Sequence, residues 1–116
     1  MSRQASGLMA WLIQRTTAVY LALFLGYLLL HFVFDAPRDH AALLAWVNRP
    51  PVAIGLLLCV PLVLAHAWVG LRDVLIDYVH ALGLRIGLMM LFGFVFIASG
   101  LWVFKAIVTA GLRGYA

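Results

Sequence analysis

The segment HAWVGLRDVLIDYVH, residues 66–80, concentrates titratable side chains at the end of a long apolar run. It holds two histidines, two aspartates, an arginine and a tyrosine. An imidazole can ligate a metal or transfer a proton near neutral pH, and a phenol can donate a hydrogen bond to a reacting group. The segment therefore has the residue types needed to bind a cofactor or to move protons.

The rest of the chain indicates that a membrane surrounds this segment. Of its 116 residues, 66% are hydrophobic and only 10% are charged, which is too apolar for an ordinary soluble domain. Three stretches, Thr16–Phe34, Pro51–Leu71 and Ile86–Phe104, lack Asp, Glu, Lys and Arg. Each is long enough to cross about 30 Å of hydrocarbon as a helix. We predict an all-α integral membrane protein with three transmembrane helices in a single domain, residues 1–116.

Three spans place the N-terminus and the second connection, residues 72–85, on one side of the membrane. The first loop and the C-terminus lie on the other side. The positive-inside rule does not orient the chain, because each side carries four basic residues. These are Arg3, Arg15, Arg72 and Arg85 on one side, and Arg38, Arg49, Lys105 and Arg113 on the other.

The formal net charge of +4 comes from basic residues that are scattered among loops and helix ends. This distribution favours anionic lipid headgroups over nucleic acid as the partner. A single cysteine, Cys59, gives neither a disulfide framework nor a cysteine cluster for metal.

Helical periodicity groups the polar residues that follow the second span. If that helix continues past Leu71, Asp73 and Asp77 lie seven and eleven residues after His66, rotated from it by only about 20°. Gly70, one turn after the histidine, leaves room for a flat and bulky group, and His80 falls near the same stripe. A polar stripe that begins in the hydrocarbon should face protein, water or a cofactor.

Each of these residues also has a simpler interpretation. His66 can form a hydrogen bond between helices instead of ligating a metal or a haem. Asp77 and Tyr78 can be a solvated acid and an interfacial aromatic, and Arg15 can extend from a helix end to the headgroups. The interfacial zone is also the expected position of Trp11, Tyr20, His31 and His40.

Two stretches carry a resemblance to a known family. They are QRTTAVYLALF, residues 14–24, and HAWVGLRDVLIDYV, residues 66–79, in which a histidine is followed after ten residues by Asp-Tyr. The sequence resembles the small hydrophobic membrane-anchor subunits of succinate dehydrogenase, the respiratory Complex II, and specifically the second of the two anchor chains in that complex. Chain length and the three-span layout agree, so the resemblance covers nearly the whole chain.

The resemblance implies roles for four residues. His66 matches an axial ligand of a haem b that is shared with a companion anchor, so the chain would form half of a haem-binding helical bundle. Arg15 matches an arginine near the haem propionates. Tyr78 matches a donor to a ubiquinone carbonyl oxygen, and Asp77 lies beside it in that site. Roles for Arg72, Asp73 and His80 stay open.

The resemblance also implies an assembly. Its partners would be a companion cytochrome b anchor, an iron–sulfur subunit, a flavoprotein subunit and membrane lipid, and the chain would not be catalytic by itself. It would span the bacterial inner membrane with its N-terminus in the cytoplasm and serve the respiratory chain and the tricarboxylic acid cycle. Alternatives are the anchor of a fumarate reductase or other quinone-linked complex, and a small non-redox structural or channel protein.

Overall fold

The computed structural model describes residues 3–114, and the side chains of residues 7–113. These residues form four helices and no strand, which confirms the predicted all-α class. The helices are α1 (Arg3–Phe34), α2 (His40–Val47), α3 (Pro50–Tyr78) and α4 (Leu82–Gly114). In three of them the segments Gly7–Phe34, Pro50–Tyr78 and Leu82–Arg113 are long and apolar enough to cross a membrane.

Helix α3 extends further than the apolar stretch that identified it. Its first residue is Pro50, as expected for a proline that lacks a backbone N–H, and its last is Tyr78. The prediction of a connection over residues 72–85 was therefore wrong, because only residues 79–81 separate α3 from α4. Leu75 is buried and anchors the additional turns, although charged residues surround it in the sequence.

The first loop contains a short helix that was not predicted, because turn-forming residues precede it. Helix α2 begins after Asp39, whose carboxylate accepts a 2.7 Å hydrogen bond from the backbone N–H of Ala42 and caps the helix. At the other end of α2, the Asn48 side-chain amide donates to the carbonyl oxygen of Ala110 on α4 at 3.1 Å. The first loop and the end of α4 therefore lie together, as three spans require.

Helix α3 lies between α1 and α4, and those two helices do not pack against each other over the described residues. Tyr20, which we expected at the interface, lies midway along α1 and donates a 2.6 Å hydrogen bond to the carbonyl oxygen of Gly55 on α3. A Cβ atom at Gly55 would overlap the ring of Phe24, so the close approach of α1 and α3 depends on this glycine.

Few side chains are buried inside the described part of the chain. The buried apolar residues are Leu21, Trp46, Val52, Val60, Val69 and Leu75. Most other large apolar side chains along α1, α3 and α4 are exposed. Such an exterior suits a bilayer, where lipid tails or neighbouring subunits cover the helices.

Candidate cofactor-binding groove

An open groove of about 560 Å³ lies between α1 and α3, toward the N-terminal end of α1. It contains the intramembrane histidine His66 and the charged residues Arg15, Arg72 and Asp73. We call it the His66 groove. Its remaining lining residues are Gly7, Ala10, Trp11, Gln14, Ala18 and Val69. The structure therefore brings Arg15 and His66, which are 51 residues apart in the sequence, to a single site.

A buried threonine of α1 holds one nitrogen of His66. Thr17 is only 3% exposed, and its Oγ1 lies 3.1 Å from His66 Nδ1. The same oxygen lies 2.6 Å from the carbonyl oxygen of Ile13, one turn earlier in α1, and 3.2 Å from that of Gln14. The hydrogen bond between helices that is the simpler interpretation of His66 is therefore present.

The contacts of Thr17 favour one tautomer of the His66 imidazole. A hydroxyl has one proton to donate, and the short contact to the Ile13 carbonyl uses it. Toward His66, the Thr17 oxygen therefore accepts, and the Nδ1–H of His66 donates. In a neutral imidazole of this tautomer, Nε2 keeps its lone pair. Within the described part of the chain, Nε2 makes no hydrogen bond and remains free to bind a metal ion.

The charged residues of the groove form few ionic interactions with one another. The guanidinium of Arg15 lies 5.6 Å from the ring centroid of Trp11, a cation–π contact, and Arg15 has no acidic partner among the described residues. Arg72 Nη2 lies 3.3 Å from Asp73 Oδ1. Both of those side chains are more than a third exposed, so this pair contributes little stability. Arg15 is therefore available to an anionic group at the mouth of the groove.

Two buried polar atoms at the groove have no hydrogen-bond partner among the described residues. They are Gln14 Oε1 and Arg72 Nε. Gln14 also occupies the space beside Gly70, because its Nε2 would lie 3.7 Å from a Cβ at that position. Buried polar groups normally have hydrogen-bond partners. These two unpaired atoms are therefore consistent with a ligand or another chain that supplies partners in the groove.

The predicted quinone residues lie elsewhere on this chain. Tyr78, the last residue of α3, is 78% exposed, and Asp77 beside it is also exposed. Neither lines the His66 groove. His80 follows the end of α3, so its expected place on the helical stripe of His66 was wrong. Asp73 does share the groove with His66, as its seven-residue spacing predicted.

Thr17, which contacts His66, and Gln14, which lines the groove, are polar residues that sequence analysis did not single out. Both belong to the QRTTA stretch that carried part of the resemblance. Nothing in the sequence, however, distinguishes Thr17 from the exposed Thr16.

Comparison with known proteins supports the resemblance. A family model described as the transmembrane subunit of succinate dehydrogenase and fumarate reductase matches residues 1–109. The chain belongs to this family. The membrane-anchor resemblance drawn from the QRTTA and Asp-Tyr stretches is thereby confirmed, and the three apolar helices agree with a multi-pass membrane subunit.

Individual proteins similar to this chain are also named as membrane subunits of succinate dehydrogenase. The chain is 35% identical over 85 residues to the succinate dehydrogenase hydrophobic membrane anchor subunit of Rickettsia typhi (strain ATCC VR-144 / Wilmington), covering 72% of this chain and 67% of that protein. It is 36% identical over 81 residues to the subunit of the same name from Rickettsia prowazekii (strain Madrid E), covering 69% and 64%. The chain thus spans about two thirds of the length of these relatives.

Proposed function

We propose that the chain is a membrane anchor of succinate dehydrogenase that ligates haem b together with a companion anchor. In this role it docks the iron–sulfur and flavoprotein subunits and contributes to the site of ubiquinone reduction. One observation carries the proposal. In a member of this family, an intramembrane histidine faces a groove with Nδ1 held by Thr17 and Nε2 free.

The residues of the His66 groove fit a haem. A metal-ligating histidine usually donates its other ring N–H to an oxygen, which fixes the tautomer and the ring orientation, and Thr17 Oγ1 is that oxygen. Arg15 supplies a positive charge suited to a propionate. When bound, the haem iron supplies a site for one-electron transfer. Within this site, His66 would ligate the iron and Arg15 would hold a propionate.

A second chain has to complete this site. His66 would supply one of the two protein ligands that a low-spin haem iron takes, and the His66 groove is open rather than enclosed. The scarcity of buried side chains in the described part of the chain supports the same conclusion. We therefore place a companion cytochrome b anchor against the groove, where it supplies the other ligand and the missing wall.

The proposed quinone residues are positioned for contact with partners rather than with the groove. Tyr78 and Asp77 are exposed at the end of α3, which is the same end of the bundle as the groove. Reduction of ubiquinone adds two electrons and two protons, so its site needs a donor to a carbonyl oxygen and a path for protons. Tyr78 is the donor in our proposal, and the Asp77 carboxylate orients it or passes protons.

The names of the relatives favour succinate dehydrogenase over fumarate reductase. Membership in a family of respiratory-complex subunits likewise favours a redox assembly over an unrelated channel. We place the chain in the bacterial inner membrane with the N-terminus and residues 79–81 on the cytoplasmic side, where the soluble subunits dock. Equal numbers of basic residues on the two sides leave this orientation dependent on analogy with the family.

Mild detergent extraction of the tagged chain from its native membrane tests the proposed function directly. We expect a coloured assembly with a low-spin haem b spectrum, two large soluble subunits and one further small hydrophobic subunit. The same assembly should oxidise succinate with ubiquinone as acceptor. A colourless chain that purifies alone as a stable homo-oligomer would support the structural or channel alternative instead.

Thr17 provides a test of the histidine geometry. Thr17→Val keeps the shape of the side chain but removes the acceptor of the Nδ1–H bond, so we expect the haem to dissociate about ten-fold faster or more. Its midpoint potential should also rise, because the imidazole becomes a weaker electron donor. Thr17→Ser should restore both values, and Thr16→Val at the exposed neighbour should leave them unchanged. Equal haem retention in the valine and serine variants would contradict this role.

A further inference from the structure

A second polar pocket lies at the other end of α1, remote from the His66 groove. Its volume is about 350 Å³, and it forms where α1, the first loop and α2 meet. Its polar lining residues are His31, Asp35, Arg38, Trp46 and Arg49. We call it the Trp46 pocket. None of the roles proposed above uses any of these residues.

Two stacked rings form one wall of this pocket. The imidazole of His31 and the indole of Trp46 have ring centroids 4.5 Å apart and are inclined by only 6°. Trp46 is 5% exposed, yet its Nε1 has no hydrogen-bond partner among the described residues, and neither does the buried Nε2 of His31. Each of these two lining residues therefore has a buried ring nitrogen without a partner.

The unpaired indole nitrogen specifies the kind of ligand. An indole N–H can only donate, and a buried donor without an acceptor is destabilising, so the pocket calls for an acceptor. Imidazole can donate from Nε2 as well, in the tautomer that carries its proton there. Two such donors beside two guanidinium groups match a group with several acceptor oxygens and a negative charge.

The charges of the pocket indicate how negative that group is. Arg38 and Arg49 each contribute one positive charge, and Asp35 contributes one negative charge. Among the described residues neither arginine forms an ion pair. The net charge of +1 complements a group with a single negative charge, such as a phosphodiester.

The surroundings favour a lipid as the source of this group. The pocket lies at the end of α1, a helix long and apolar enough to cross a membrane, and phospholipid headgroups surround the ends of such helices. Phe32, Val33 and Phe34 are exposed on the last turn of α1. The rings of Phe32 and Trp46 also pack edge to face, with their centroids 5.3 Å apart. Acyl chains can lie along this apolar surface while a phosphate enters the pocket.

We propose that the Trp46 pocket binds the phosphodiester of an anionic phospholipid on the face of the membrane opposite to Tyr78. Trp46 and His31 donate to the phosphate oxygens, and Arg38 and Arg49 neutralise its charge. This proposal does not depend on haem or quinone binding. Inorganic phosphate shares the same chemistry and is the alternative source of the ligand.

The test uses the assembly extracted in mild neutral detergent and stripped of its native lipid. Dioctanoylphosphatidylglycerol is titrated into it, and bound lipid is counted by native mass spectrometry. We expect Arg38→Gln and Arg49→Gln each to weaken binding about ten-fold, and Trp46→Phe, which keeps the ring, to weaken it about three- to ten-fold. Matched controls on the same membrane face are Arg113→Gln and Trp102→Phe, which should change binding less than two-fold.

Further arms of the experiment separate the sources and can overturn the proposal. If millimolar inorganic phosphate displaces the lipid, the pocket is a phosphate site that is open to soluble ligands. If inorganic phosphate does not displace the lipid, the pocket is a lipid site. Dioctanoylphosphatidylcholine, which has no net charge, should bind more weakly. Equal binding of the two lipids would overturn the proposal. An equal loss in Arg113→Gln and Arg38→Gln would do so as well, because binding would then follow only the total charge of that face.

Discussion

His66→Ala is expected to abolish the low-spin haem spectrum of the assembled complex. The histidine lies between α1 and α3 with Nδ1 occupied by Thr17, so Nε2 is its free ligand atom. Alanine removes that atom, and no other histidine of this chain lines the groove and could ligate the iron instead. We expect haem to be lost or converted to a high-spin form with one protein ligand, as measured by reduced-minus-oxidised spectra.

Two matched variants separate ligation from general disturbance of the site. His80→Ala removes an exposed histidine at the same end of the bundle and should leave the spectrum unchanged. Arg15→Ala should preserve ligation but lower the midpoint potential, because it removes a positive charge that favours the reduced haem. If His66→Ala kept the wild-type spectrum, the haem ligand would have to be another residue, with His31 the next candidate.

The three long helices could be predicted from hydropathy because the bilayer requires about twenty apolar residues per crossing. Hydropathy reports where the membrane ends, however, and not where the helix ends. Arg72 and Asp73 lie outside the apolar stretch but are fully compatible with a helix, so α3 continues through them to Tyr78. The short helix α2 was missed because its N-cap residue, Asp39, follows a proline and other turn-forming residues.

The candidate site was partly predictable for a related reason. Periodicity along α3 placed Asp73 and Asp77 on the stripe of His66; Asp73 lines the groove with His66, whereas Asp77 does not. The contribution of α1 depends on how that helix is rotated against α3, which the hydropathy of an almost uniformly apolar helix does not specify. The contact of Thr17 with His66 follows from that rotation and therefore became visible only in the folded chain.

Tyr78 lies at the exposed end of α3, away from the His66 groove. The resemblance predicts a quinone contact for it, whereas in this chain it is exposed and lines no pocket with His66. It follows His66 by twelve residues on one continuous helix, which separates the two by about 18 Å along the axis. Tyr78 is thus outside the ligand shell of the proposed haem, but at the same end of the bundle. In the quinone site that we propose, a partner subunit would supply the remaining walls.

Asp77 is the alternative to Tyr78 as the residue that brings a hydrogen-bond donor to the proposed quinone site. Its carboxylate is exposed next to Tyr78 and can hold a water molecule that donates to the quinone in place of the phenol. Asp77→Asn keeps the size of the side chain but removes its charge. The two residues can therefore be distinguished by substitutions that each remove a single property.

Tyr78→Phe is accordingly expected to lower ubiquinone reduction by on the order of ten-fold or more, because it keeps the ring and removes only the hydroxyl donor. A hydrogen bond to a carbonyl oxygen that gains charge during reduction stabilises the transition state more than the bound quinone, so the loss should appear in kcat. Succinate oxidation with an artificial acceptor that takes electrons from the soluble subunits should persist, with the haem spectrum unchanged. Tyr27→Phe on α1 is the matched control and should leave both activities at the wild-type rate. Wild-type ubiquinone reduction in Tyr78→Phe, together with a loss in Asp77→Asn, would transfer the donor role to a water held by the carboxylate.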